Sequence, residues 1–504
     1  MHLKLNSWSL SDKKFVILSL YIILLILGLS NHEMWRDEYE EYLQARDSGA
    51  IFGLQNIMSQ GHAMLWQTCL WIITRFSHNP LWMQVFHGFI ALAFAYVLLY
   101  KSPFKLWQSA LLLSSYFLLF EYAVISRCYA FGVLFFFVFS HFYSKQKKLT
   151  LKTTIVLFLL ANTSIYAMML TAVICAWIIF FQRLYVFKKD NIKQYLWLII
   201  VSLGVLLAYL QIKPGADNSF PVHRVILPFD KYRFDVAITQ FFSAFVPICK
   251  FQNKFFWNTN FLMNSLGIVK WYLPLIVFII VSIPFATRIK ILLLWVMGVG
   301  MILFFQYHTG FRFARYYGHI FLLWIVCFWF LQVFYQVKNK INTIVFGFVI
   351  AMQGIGGVMM YNADRVQKFS TGYDAAQWLK KHGYSKNYMI ASVDFAMSPI
   401  AAELNRKIYY MQHKALCSFT KWDKKRLNSI YSNDISEAIA EGIKNGCPVI
   451  FIASHEIEYF EFYKNKKNPK NEFIFDKYKV KKMAYFPPGI EYYERYWIFK
   501  ITKI

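Results

Sequence analysis

Charged side chains are scarce in this chain, so the places where they fall are informative. Of its 27 Asp and Glu residues, six crowd into NHEMWRDEYEEYLQARD as Glu33, Asp37, Glu38, Glu40, Glu41 and Asp47. The next acid is Glu121, then Asp190, and none occurs between Asp235 and Asp364. A carboxylate held at a membrane face is partly desolvated, which raises its pKa and suits it to take a proton from a hydroxyl. The Asp37-Glu38 pair, directly after Trp35-Arg36, is the candidate for that role. Two basic groupings complement it: Arg127 in FEYAVISRCYAFG, close in sequence to Glu121, and His308, Arg312 and Arg315 in FQYHTGFRFARYYGH, which has no acid of its own. A guanidinium grips phosphate with two parallel hydrogen bonds. Together these residues could activate a hydroxyl and stabilise a departing phosphate. The plainer alternatives are a solvated acidic loop, a structural Glu121–Arg127 ion pair at a helix end, and arginines that snorkel to an interface.

The elements that must position these residues are membrane helices. The 504 residues are 58% hydrophobic, 20% aromatic and only 16% charged, too apolar for a soluble enzyme of this length. The net charge of +27 is broken by apolar runs into short basic clusters, which points to membrane topology and away from a nucleic-acid partner. Seven cysteines, scattered with no CxxC pair, indicate neither a disulfide framework nor a zinc site. Apolar runs predict about eleven spans, near 15–30, 81–100, 106–121, 128–143, 153–165, 166–182, 194–212, 269–286, 291–307, 317–335 and 341–360.

With the first span uncleaved and the N-terminus inside, every inside connection is basic: Lys101/Lys105, Lys145 to Lys152, Arg183 to Lys193, Arg288/Lys290 and Lys338/Lys340. The acidic stretch then lies outside, in an outer loop over 31–79. That loop continues through GAIFGLQNIMSQGH as an amphipathic surface segment and then HAMLWQTCLWIITRF as an interfacial helix. His308, Arg312 and Arg315 also fall outside, where arginine should be rare, and positive charge in that place suggests an anionic ligand. Residues 1–360 form the membrane domain. Residues 361–504 have ordinary soluble composition and read as an extracytoplasmic α/β domain: AAQWLKKHGY, SPIAAEL and ISEAIAEGIKNG as helices, YMIASVD, KIYYM and PVIFIAS as strands. Gly354, Gly356 and Gly357 lie within a membrane run and read as close helix packing.

A first span, an outer W-x-D-E segment, a surface helix opening with Gly61, His62 and Leu65, another span, and an outer Ser126-Arg127-x-Tyr129-Ala130 element together resemble the GT-C glycosyltransferases. The nearest subgroup is the protein mannosyltransferase and aminoarabinose transferase-like enzymes of bacterial envelopes. The resemblance covers roughly the first third of the chain. It implies transfer of a sugar from a polyprenyl-phosphate donor to an envelope glycan, lipid or protein, with inversion. It further implies Asp37 as base, Glu38 as an orienting or secondary group, and Arg127, His308, Arg312 and Arg315 around the lipid phosphate. Glu121, His62 and Tyr129 are candidate supporting residues; at His62 the prolines usual after the family's histidine are replaced by Ala63 and Met64. No metal ligand set is assigned: Asp37, Glu38 and Glu121 could bind a divalent cation through oxygen, yet phosphate-binding arginines would make it dispensable. The competing function is a transporter or flippase for a lipid-linked or anionic substrate, although such proteins usually place charges at mid-membrane. The expected location is a bacterial cytoplasmic membrane, since the chain ends in no retention signal and its Lys/Asn/Ile/Phe-rich composition is ordinary there.

Overall fold

A computed structural model describes residues 9–50, 61–219, 229–263, 265–267, 271–337, 339–454 and 472–504. The expected amphipathic segment over 51–60 and the basic position Lys338 lie outside the described residues. The chain begins with α1 (Leu10–Asn31), α2 (Arg36–Asp47), α3 (Met64–Phe76), α4 (Leu81–Lys101) and α5 (Leu106–Leu113), followed by a π-helical turn at Tyr116–Glu121. Next come α6 (Tyr129–Gln146), α7 (Leu151–Ala161), α8 (Ile165–Phe181), α9 (Ile192–Ile212) and α10 (Lys231–Ser243). The membrane part closes with α11 (Tyr272–Ser282), α12 (Ile289–Thr309), α13 (Ala314–Tyr335) and α14 (Lys340–Val366).

Among the described residues six helical stretches are long and apolar enough to cross a membrane: α1, α4, Lys189–Ile212, α12, α13 and α14. Leu151–Ala161, Ile165–Phe181 and Tyr272–Phe285 are apolar but shorter. The first helix shows why sequence alone marks it. Ser9 caps it by accepting from Asp12 N–H while Asp12 reaches back to Ser9 N–H, and Leu20, Ile23 and Ile26 then stand exposed along it. Such a surface belongs in lipid. By contrast, α13 is buried along almost its whole length and forms the centre of the bundle.

The span expected over 106–121 is broken. Ser114 and Ser115 end α5, and the Ser115 hydroxyl accepts from Leu118 N–H to start the π-helical turn. The break lets α14 approach: a Cβ on Gly357 would sit 2.4 Å from the Ser114 carbonyl oxygen, and one on Gly356 would sit 2.4 Å from that of Pro247. Both glycines thus serve close packing. The segment 62–76 gives α3, whose 13 residues are too few for a crossing that needs about 20.

The C-terminal region contains α15 (Gly372–Lys381), β1 (Met389–Ala391), α16 (Ser398–Glu403), β2 (Ile408–Tyr410), β3 (Ala415–Cys417), α17 (Ser432–Asn445) and β4 (Val449–Ala453). It ends in β5 (Glu472–Phe475), β6 (Tyr478–Phe486) and β7 (Tyr496–Lys503). The described strands form one sheet of order β3-β2-β1-β4-β7-β6-β5. β1 runs parallel to β2 and to β4, whereas the β2–β3, β4–β7, β7–β6 and β6–β5 pairs are antiparallel. Three strands are expected from the sequence; the sheet adds β3 at one edge and, on the other side, the antiparallel β5, β6 and β7. Their cue is the alternation in β6, which buries Tyr478 and Val480 and exposes Lys479 and Lys481.

What matters for function is where this sheet docks. Beyond β1 the chain continues through Asp394–Ala396 into α16, and both pack on α2. Because β1 has parallel neighbours on either side, this carboxyl end is the point where a doubly wound sheet usually receives a ligand. Here it receives helix α2. Ser398 Oγ and Thr420 N–H donate to Glu40 at 2.6 and 2.8 Å, and Tyr39 donates to Glu403 at 2.8 Å. Arg46 donates to Asn405 at 3.0 Å, and Arg36 N–H donates to Glu494 at 2.7 Å. One face of α2 is therefore committed to the C-terminal domain, leaving Asp37, Glu38 and Glu41 for the membrane helices.

Candidate active site

The N-terminus of α2 is pinned by Glu38. One of its carboxylate oxygens accepts Ser126 N–H at 2.6 Å, and the other accepts Trp35 N–H at 3.1 Å and His32 Nε2 at 3.0 Å. His32 Nδ1 lies 3.0 Å from Asp364 at the end of α14. Burial opposes protonation of His32, yet Asp364 and Glu38 raise its pKa to about 10, so an imidazolium bridges two carboxylates. Glu38 is fully buried and its lone pairs are spent on these donors. It is therefore turned away from the chemistry that its sequence position beside Asp37 suggests. Adjacent helix residues point about 100° apart, and only one of the two can face the arginines.

Asp37 does. Its Oδ2 lies 2.9 Å from Arg315 Nη2 and 3.1 Å from Arg127 Nη1, with Arg36 Nε 3.8 Å from Oδ1. Arg315 is the second residue of α13, and Arg127 sits on the segment between the π-helical turn and α6. The two arginines, 188 positions apart in the chain, are thus brought onto one carboxylate. Both guanidinium side chains are at least 95% buried, while Asp37 keeps 29% exposure, so the carboxylate is the reachable member of the group. The Nε and Nη1 atoms of both arginines are buried and lack an aligned acceptor. Aromatic rings surround Arg315: Phe313 at 4.2 Å, Tyr316 at 5.1 Å and Trp35 at 5.2 Å. Unspent, dehydrated guanidinium N–H groups attract an anion strongly.

One turn beyond Asp37, on the same face, lies Glu41. Its Oε1 is 3.1 Å from Arg127 Nη2 and 3.4 Å from His62 Nδ1, and neither of its oxygens has a hydrogen-bond partner. The two acids differ in ionisation. Burial works against the Asp37 charge, but Arg315, Arg127 and Arg36 outweigh it and hold the carboxyl below its ordinary value. Burial dominates at Glu41 and pushes it up to about 7 despite Arg127. The raised pKa expected of the outer carboxylate thus belongs to Glu41, because three cations crowd Asp37. Burial and Arg127 push the His62 imidazole down, leaving it neutral beside Glu41.

Tyr129 joins the group, with Arg127 6.0 Å from its ring. Glu121 does not. It makes no ion pair with Arg127 and instead accepts from Tyr116 at 3.0 Å and Trp257 at 3.2 Å, because the chain turns between positions 121 and 127. Arg312 is directed over the Tyr232 ring at 5.2 Å, and His308 contacts Phe304 O at 2.9 Å. Only Arg315 of that trio reaches Asp37 among the described contacts. Asp37, Glu38 and Glu121 do not converge. Among the described residues no group of three or more His, Cys, Asp and Glu side chains is arranged to hold a metal ion. Sequence reading passes over Glu41, His32 and Asp364. The four-residue spacing from Asp37 is the signal that could have found Glu41, while nothing local joins His32 to Asp364. No protein-family model matches this chain, and a search of characterised proteins returns no match.

Proposed function

We propose that the protein is an inverting glycosyltransferase that moves a sugar from a polyprenyl-phosphate donor to an acceptor in the cell envelope. The observation that carries this is the partly exposed Asp37 carboxylate seated on two buried guanidiniums whose Nε groups are unspent. In the chemistry this supports, the acceptor hydroxyl gives its proton to Asp37 as its oxygen bonds to the anomeric carbon. The bond from that carbon to the phosphate oxygen breaks with its electron pair, and Arg127 and Arg315 receive the growing charge. Attack opposite the phosphate inverts the anomeric centre. A positioned base contributes on the order of 10²–10⁴-fold, and a carboxyl held below its ordinary value belongs at the lower end of that range; fixed cations in a dry site add a comparable electrostatic effect.

The charges gather where the outer helix α2 meets the ends of the bundle, which favours this chemistry over a transport path through mid-membrane. The basic loops support a cytoplasmic N-terminus with α2 and the C-terminal domain on the outer face, in a bacterial cytoplasmic membrane. Purified protein is given labelled sugar on polyprenyl phosphate, with extracted envelope glycans, lipids and proteins as acceptors. Wild type transfers label, while Arg127→Ala and Arg315→Ala each lose at least about tenfold. Absence of transfer by wild type across all donors and acceptors would move a transporter to the front.

A further inference from the structure

Arg127 is shared. Its Nη1 faces Asp37 at 3.1 Å and its Nη2 faces Glu41 at 3.1 Å, so without a ligand two acidic groups already share its charge, with Arg315 and Arg36 also on Asp37. An entering phosphate anion upsets that arrangement of charges inside a buried site, where uncompensated charge is costly. Glu41 is the group best placed to restore it. It is 2% exposed, both of its oxygens lack hydrogen bonds, and it sits on the same guanidinium that the phosphate would take.

We infer that Glu41 is a proton-linked positioning residue for the phosphate: it holds Arg127 while ionised, and it takes up one proton when a phosphate anion binds there. This rests on the proposed function and deepens it. The groups facing Glu41 are Asp37 and Glu38 from its own helix, Arg127 and Cys128 from the segment before α6, Arg315 from α13, and His62 from the segment before α3. Arg75 of α3 is turned to the far end of α2, where it donates to Arg46 O at 2.6 Å. Glu403 of α16 bonds Tyr39 on the opposite face. His62 is already neutral and Asp37 is held ionised, so neither competes for a proton near neutral pH. In the free site burial holds the Glu41 carboxyl up at about 7. An added anion raises it, protons are absorbed on binding, and affinity therefore falls as pH rises.

The probe is a methyl polyprenyl phosphodiester, whose single charge does not titrate, offered to the full chain in lipid nanodiscs; dimethyl phosphate is the free-anion arm. Wild type is expected to bind the lipid diester up to about fiftyfold more weakly at about pH 9 than at about pH 7, the limit for one linked proton on a group half protonated at pH 7. Glu41→Gln should bind with little pH dependence, near the low-pH affinity of wild type, and Glu41→Asp should restore the slope. Binding of the lipid diester without binding of dimethyl phosphate assigns the site to a lipid headgroup; equal pH-linked binding of both assigns it to phosphate alone. A wild-type pH slope retained in Glu41→Gln overturns the inference while leaving the glycosyltransferase proposal standing. Failure of wild type to bind either diester, with Arg127→Ala indistinguishable from it, overturns both.

Discussion

Replacing Glu38 by Gln tests whether this residue is a clamp or a reagent. The carboxylate accepts two backbone N–H groups, from Ser126 and Trp35, and one imidazolium N–H, from His32. Hydrogen bonds to a charged acceptor contribute about 1.5–3 kcal/mol each. The amide of Gln keeps one acceptor oxygen but turns an NH2 group toward a donor, so at least one of these bonds is lost and the His32 charge loses a partner. Removing one member of a buried ion pair costs about 3–5 kcal/mol. At about 3 kcal/mol, and if the contact is absent from the unfolding transition state, the thermal inactivation half-life shortens roughly 150-fold. The assay is inactivation at a fixed temperature in detergent, paired with hydrogen exchange at the Ser126 amide, which should lose protection. Sugar transfer should fall through misplacement of Arg127, the residue that follows Ser126. A Glu38→Gln protein with wild-type half-life and a protected Ser126 amide would refute the clamp.

Three further outcomes are expected. Burial raises Glu40 to about 8, and burial together with Glu491 does the same for Glu494. Because these pKa values lie above the ordinary 4.5, their stabilisation of the contact between α2 and the C-terminal domain is full below about pH 4.5 and is lost as pH rises through about 8. Exchange protection over 36–47, taken relative to the base-catalysed intrinsic rate, should fall across that window, and Glu40→Gln with Glu494→Gln should flatten it; a flat wild-type protection profile contradicts this. Gly357→Ala drives a methyl against the Ser114 carbonyl at 2.4 Å and should cost about 1–3 kcal/mol of stability, seen as a lower unfolding temperature, whereas Gly347→Ala, with nothing within 4 Å, should change little. Arg315→Lys retains charge but not the planar fork, so label transfer should drop at least about tenfold while expression holds; full activity would mean that charge alone suffices.

Scarcity made much of the site legible. Asp37 and Arg127 stood out because acids and outward arginines are rare in so apolar a chain, and Arg315 because it lay where orientation disfavours arginine. Helix phase was the missing information. Within the cluster from Glu33 to Asp47 the sequence singled out the adjacent Asp37 and Glu38, and only a helix beginning at Arg36 decides that Asp37 and Glu41 share a face while Glu38 turns inward. The link from His32 to Asp364 spans 332 positions and has no local signature. Composition indicated a membrane protein with a separate C-terminal domain, but the mostly apolar stretch 106–121 conceals a break: Ser114-Ser115 ends a helix where the Ser115 hydroxyl caps the next turn and a glycine pair of α14 packs against it. The strands β5 to β7 were missed because their lysines resemble a solvated tail unless the alternation is followed residue by residue.

The most direct measurement is single-turnover transfer of labelled sugar from a polyprenyl-phosphate donor by wild type and by Asp37→Asn, with folding of the variant checked by its unfolding temperature. Loss of at least about a hundredfold in rate, with donor binding retained, is the result expected of a missing base. Transfer by Asp37→Asn at the wild-type rate would contradict the assignment and leave Asp37 as no more than the counter-charge of Arg127 and Arg315.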